Sequence, residues 1–191
     1  MEKIEAHKYA YDYAYSVEAW IKQEIYKDFF LASPKFDWSN SRTCSRGGYY
    51  ADGPSINIAM RGAYKDYAGE IYKFHEYASF DTDKEIGGFY SRDPLHKLQA
   101  IIVHEMAHAV QFFAYRKNNV RCKPHGHMFK NFYRRLRNQF INPNLPDQKV
   151  LLDDYQDYVN KINTLGRKTR LIPKVSDEEW ARLTQRAASV K

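Results

Sequence analysis

The chain has 191 residues and a net charge of +7, with 43% hydrophobic and 28% charged residues, a composition that fits a soluble globular protein and excludes a low-complexity or fibrous one. Only Cys44 and Cys122 occur, with no CxxC pair, which excludes a disulfide framework and a zinc ribbon. Charges interrupt the first thirty residues and no later stretch is apolar enough to span a bilayer, so the reading is one intracellular, cytoplasmic domain with appendages, with no signal peptide and no membrane partner.

From Ala6 to Leu31, Tyr11, Ala14, Tyr15, Ile21, Ile25 and Phe29 recur at steps of roughly three and four, which predicts a helix ended by Ser33-Pro34. Between Phe36 and Phe80 the pattern shortens and turn signals appear at Gly47-Gly48, Asp52-Gly53-Pro54 and Arg61-Gly62. Strands are expected near Gly48 to Ala51, Ser55 to Met60 and Ile71 to Phe80. Asp93-Pro94 then supplies a capping side chain and a first-turn proline for a helix to about Tyr115.

A polar loop from Lys117 to Pro124 leads to a helix from Gly126 to Phe140, with Phe129, Phe132, Tyr133, Leu136 and Phe140 on its inner face. Asn142-Pro143-Asn144-Leu145-Pro146 breaks the chain. Helices are expected again over Gln148 to Leu165 and Ser176 to Ser189, the second opened by a Ser176/Glu179 capping box.

The chemistry-bearing motif is His104-Glu105-Met106-Ala107-His108. Residues four apart on a helix share a face, so His104 and His108 can present imidazole nitrogens to one metal ion, for which zinc is the expected identity. Glu105 beside them is the candidate general base for a water that the metal acidifies. The bland alternative is an ordinary amphipathic helix, but Leu98, Ile101, Ile102, Ala109, Phe112 and Phe113 make the surroundings apolar, and two imidazoles and a carboxylate there need partners. A catalytic zinc ion takes a third protein ligand and keeps one position open. His125 and His127 are nearly even candidates, and Glu76, Asp81 and Asp83 offer carboxylates before the motif.

HEMAH followed after sixteen residues by His125-Gly126-His127-Met128-Phe129-Lys130 resembles the SprT and Spartan group of metallopeptidases, whose pattern is HExxH and then HGxxF. Trp38-Ser39-Asn40-Ser41-Arg42-Thr43 through Ile56-Asn57-Ile58 resembles the hairpin that precedes the family's metal helix. The similarity covers roughly Phe36 to Phe140, with extra sequence between Arg61 and Asp93. It implies one catalytic zinc ion held by His104, His108 and His125, with Glu105 as general base. His127 is left as a substrate or alternative metal contact, and Phe129 as a core anchor under the third ligand.

The fold implied is α+β and zincin-like, a small antiparallel sheet packed on the HExxH helix with additional N- and C-terminal helices. Residues 1–143 form the metallopeptidase domain and 144–191 a helical extension, without the zinc ribbon of many cellular relatives. A protein substrate is expected to lie along a sheet edge, for which Ser55 to Met60 is the candidate.

Basic residues form three clusters: Lys130, Arg134 and Arg137 with Arg135 on the helix after His125; Arg116, Lys117, Arg121 and Lys123 before it; and Arg167, Lys168, Arg170 and Lys174. Each alone is most simply a solvated face. Together they make DNA a candidate partner through phosphate contacts at Lys130, Arg134 and Arg137, with a nucleoid or nuclear location in that event. Tyr49, Tyr50 and Tyr90 are candidates for stacking on unpaired bases. The competing readings are a catalytically silent zincin-fold nucleic-acid-binding protein and a metallopeptidase with a specific substrate unrelated to DNA. The oligomeric state is not legible.

Overall fold

Residues 1–39, 44–65, 69–80, 83–119 and 123–164 are described in the computed structural model. Helix α1 (Lys3–Glu24) buries Ala6, Ala10, Ala14, Val17 and Ile21, small residues at three- and four-residue steps that let it lie close against the metal-motif helix. It stops at Glu24, short of the predicted Ser33-Pro34. The buried Glu18 carboxylate accepts the Leu31 N–H at 3.1 Å, and Phe29 is fully buried, so the folded-back segment satisfies the same apolar spacing without remaining helical.

Strands β1 (Lys35–Asp37), β2 (Arg46–Tyr50) and β3 (Gly53–Ala59) form a sheet in the order β1-β3-β2. β2 and β3 make the expected antiparallel hairpin, closing through Ala51-Asp52 with Tyr50 opposite Gly53. Gly53 has φ 126°, a left-handed conformation that glycine takes without Cβ strain. β1 pairs with β3 in parallel, so the sheet is mixed and not wholly antiparallel.

Two further expectations are corrected here. Ser55 to Met60 belongs to the central strand and its short continuation, with both backbone edges of β3 engaged by neighbours, so the edge beside the metal helix is β2. Gly47-Gly48 is no turn but the middle of β2. A Cβ on Gly47 would lie 1.9 Å from the Glu105 carbonyl oxygen, so glycine is there because two backbones meet.

After the short helix α2 (Met60–Ala63), β4 (Tyr72–Phe74) pairs antiparallel with β5 (Phe89–Ser91). The predicted strand to Phe80 is cut to three residues, the length that β5 can pair. Residues 78–80 instead form a 3-10 turn that brings Phe80 into the core.

Helix α3 (Pro94–Asn118) starts as its sequence predicts, with the Asp93 side chain accepting the Leu95 N–H at 2.8 Å and Pro94 in the first turn. It ends on Asn119 in the left-handed conformation, φ 49°. One side lies against β2 and β3, another against α1 and a third against α4 (His127–Phe140), which explains why the helix is buried almost all round through its middle. α5 (Gln148–Thr164) follows as expected.

The chain divides into a unit spanning Met1–Leu152 and a second beginning at Asp153. The expected helix at Ser176 to Ser189 and the cluster Arg167, Lys168, Arg170 and Lys174 lie outside the described residues, as do Asp81, Arg121 and Cys122. Among the described residues, no helix is long and apolar enough to cross a membrane.

Candidate metal centre

His104 and His108 occupy successive turns of α3 and are 6% and 8% exposed. His125 arrives from the other side, one residue before Gly126, the N-terminal cap of α4. Its φ is 56°, a left-handed conformation that costs a non-glycine residue of order 1–3 kcal/mol and persists where surrounding structure enforces it. The strain turns its ring back toward α3. His104 Nε2 stands 3.2 Å from His125 Nε2, and His108 Nε2 stands 2.9 Å from the same atom.

The three imidazoles offer ligand atoms all within 4.8 Å of one another and can hold a metal ion. Bonds of about 2.0–2.1 Å in a tetrahedral zinc site require ligand nitrogens roughly 3.3–3.4 Å apart; the His104–His125 spacing is close to this, and the His108–His125 pair would have to separate slightly to admit an ion. Both nitrogens of the α3 histidines are accounted for. His108 Nδ1 lies 3.4 Å from Gln111 Oε1, and His104 Nδ1 lies 3.3 Å from Glu76 Oε2. With Nδ1–H directed to those acceptors, the Nε2 lone pairs are left for a cation, the tautomer usual in histidine metal sites.

Burial and the facing imidazoles oppose protonation of His108 and His125. His108 is held at about 3, first by burial and then by the charges of His104 and His125. His125 is lowered by burial and by His104, against the attraction of Glu76. Neutral imidazoles are the forms that ligate. The donor set, geometry and protonation therefore fit a metal.

Glu105 lies between the two histidines in sequence and is 8% exposed. Burial raises its pKa, opposed by His104 and by a backbone hydrogen bond from Gly47 to the carboxylate, while Glu76 pushes it up further. Phe129 forms the floor, its ring centroid 4.9 Å from His104, 4.3 Å from His108 and 4.9 Å from His125. Tyr77, 52% exposed, covers the outer side with its ring 4.1 Å from that of His125 and 5.6 Å from that of His104.

The other sequence candidates separate clearly. His127 is exposed and its Nδ1 lies 3.5 Å from Asn131 Nδ2, away from the cluster. Asp83 accepts the backbone N–H groups of Glu85 and Ile86 and an Arg134 hydrogen bond at 2.7 Å. Glu76 stands behind His104, on the Nδ1 side, and so is not a member of the Nε2 cluster.

The basic stripe needs correction. Arg137 is 2% exposed, because it follows Tyr133 by one helical turn and shares the core-facing side of α4. Arg134 is engaged by Asp83 at 2.7 Å and by Glu85 at 2.6 Å. Lys130 remains half-buried, its ammonium 4.9 Å from the centre of the Phe80 ring. Neither arginine is a free phosphate contact.

Gly47, Gln111 and Tyr77 went unrecognised in the sequence. Gly47 was detectable as a glycine inside a β pattern, and Gln111 as a polar residue three positions after His108 on an apolar helix. Tyr77 carried no local signal among sixteen tyrosines.

Fold and site together define an α+β protein with a three-histidine cluster, able to hold a metal ion, built on an HExxH helix. Residues 18–150 match the SprT-like family, and the chain belongs to it. Neither a curated protein nor a solved structure matches the chain.

Proposed function

We propose that the protein is a zinc-dependent endopeptidase of the SprT-like type, with His104, His108 and His125 as ligands of one catalytic zinc ion and Glu105 as general base. The observation that carries this reading is the convergence of three Nε2 atoms beside a buried carboxylate on the same helix. Zinc held there supplies Lewis acidity, lowering the pKa of a water molecule and polarising a peptide carbonyl.

Glu105 accepts a proton from the attacking water as its oxygen bonds to the carbonyl carbon. It returns that proton to the amine nitrogen as the C–N bond breaks. Burial suits its carboxyl to the first half, since a raised pKa makes it a better proton acceptor than an exposed glutamate. The Gly47 N–H holds the carboxylate in position. β2 is the edge strand beside this group, and a substrate segment adding there as a further strand would bring its carbonyl over the centre.

Protein substrates near or on DNA are the favoured targets, on the support of the +7 net charge and of the exposed Arg46, Arg116 and Lys123. A specific protein substrate unrelated to DNA is the second reading, favoured by the internal engagement of Arg134 and Arg137. Cleavage of a protein substrate by the zinc-loaded chain, measured with and without single-stranded DNA at two salt concentrations, tests both. Salt-sensitive stimulation supports the DNA reading. Equal rates support the second, and no cleavage under any condition overturns the endopeptidase assignment.

A further inference from the structure

The segment between Arg61 and Asp93 carries an acidic residue with a buried side chain that faces the histidine cluster from behind. Glu76 has a side chain only 3% exposed, with Oε2 lying 3.3 Å from His104 Nδ1. Its other oxygen, Oε1, accepts the hydroxyl of Tyr133, which is fully buried.

The chain of contacts continues inward. Arg137 Nη1 donates to the Tyr133 hydroxyl oxygen at 3.2 Å, Nη2 to the Gly87 carbonyl at 3.3 Å and Nε to Asn142 Oδ1 at 3.2 Å. A guanidinium that is 2% exposed thus stands two steps from an enclosed carboxyl group, each offsetting part of the other's desolvation. The series Arg137, Tyr133, Glu76, His104 runs from the α4 core to the nitrogen opposite the one that faces the cluster.

We propose that Glu76 is a positioning residue of the metal centre, fixing His104 as the Nδ1–H tautomer and strengthening its Nε2 as a ligand, with Tyr133 and Arg137 holding the carboxylate in place. This rests on the reading of the three histidines as zinc ligands. Such an outer carboxylate sets ring orientation and basicity, and its loss typically costs about 10–100-fold in metal affinity. The two α3 histidines are backed differently: His108 has a neutral amide behind it, Gln111, which also donates to the Lys123 carbonyl at 2.8 Å and ties α3 to the loop that delivers His125.

The test is zinc affinity by chelator competition for the wild type, E76Q, E76A and Y133F, with the visible spectrum of the cobalt-substituted proteins and melting of the metal-free forms. E76Q is expected to bind zinc roughly 10–100-fold more weakly and to shift the cobalt bands, E76A at least as strongly, and Y133F by less. Wild-type affinity and spectrum in E76Q and E76A would overturn the proposal while leaving the metal reading intact. Failure of the wild type to bind zinc would overturn both. Should E76A not fold, the wild type decides: nitrogen-15 spectra of the zinc-loaded protein should show an Nδ1–H on His104, protected and shifted downfield beyond that of His108. An Nδ1–H on His104 no further downfield and no better protected than that of His108 would sink the idea.

Discussion

At the residue scale, the centre places groups with opposite pH behaviour in one apolar pocket. His108 has an ordinary value of 6.5 and is held at about 3 in the folded chain. Between those values the unfolded chain carries the proton and the folded one does not, so stability of the metal-free protein falls as pH falls across that window. Glu105 has the reverse sign: its pKa is raised by burial, so its penalty appears as pH rises above the ordinary carboxylate value. Thermal melts of metal-free wild type and H108A over a pH series should show a shallower acid-side loss in the variant. Equal slopes would contradict the neutral, buried assignment of His108.

The same penalty makes a second expectation for Glu105. E105Q should lower cleavage by roughly 10²–10⁴-fold while retaining zinc, and its metal-free melting temperature should equal or exceed that of the wild type. Persistent cleavage by this variant would remove Glu105 from the mechanism. For the third ligand, H125A should weaken zinc binding beyond the roughly 10–100-fold typical of an outer partner, and H127A should leave it unchanged, as titration against a chelator will show.

At the element scale, the site is the meeting of three pieces: α3 with two histidines, the loop into α4 with the third, and β2 against the Glu105 turn. β2 can approach only because position 47 lacks a side chain. G47A must push the strand from the helix or distort both, since the atoms it meets are backbone. A loss of about 1–3 kcal/mol in denaturant unfolding is expected, with a fall in cleavage as Glu105 loses its N–H partner. A neutral G47A would show that the contact is loose.

Helix positions were legible from end signals, Asp93-Pro94 at the start of α3 and Gly126 at that of α4, and in α4 also from a strong period that puts Phe129, Tyr133 and Leu136 on the inner face. His125 was separated from His127 by the family resemblance alone, whereas His104 and His108 were legible because they share a helical face. Strand order was not, because the apolar pattern of β3 is compatible with a central or an edge place, and only partners decide. Arg137 was misjudged by spacing alone. It lies seven residues after Lys130 yet four after Tyr133, and the second relation wins because Glu76, Gly87 and Asn142 create a polar pocket that α4 by itself does not reveal.

At the scale of the whole molecule, the Met1–Leu152 unit contains every residue assigned to the centre, and the family match over residues 18–150 spans nearly the same stretch. The HExxH helix is enclosed by α1, the sheet and α4, so His104 and His108 sit on the most buried element of the fold. That enclosure gives the histidines fixed positions before any ion arrives. Loading with zinc should therefore raise the melting temperature, by mass action on a preformed site, and chelation should reverse the gain without unfolding the chain. Loss of helical circular dichroism on chelation would instead mean that the ion builds the fold.

The central claim is that His104, His108 and His125 together hold one zinc ion. Anomalous diffraction from crystals of the zinc-loaded protein, recorded on both sides of the zinc absorption edge, tests it most directly. The account predicts one strong peak within bonding distance of the three Nε2 atoms, with Glu105 beside it and Glu76 on the far side of His104. A peak bound through His127 or Glu76 in place of His125, or no peak among the three histidines, would contradict it.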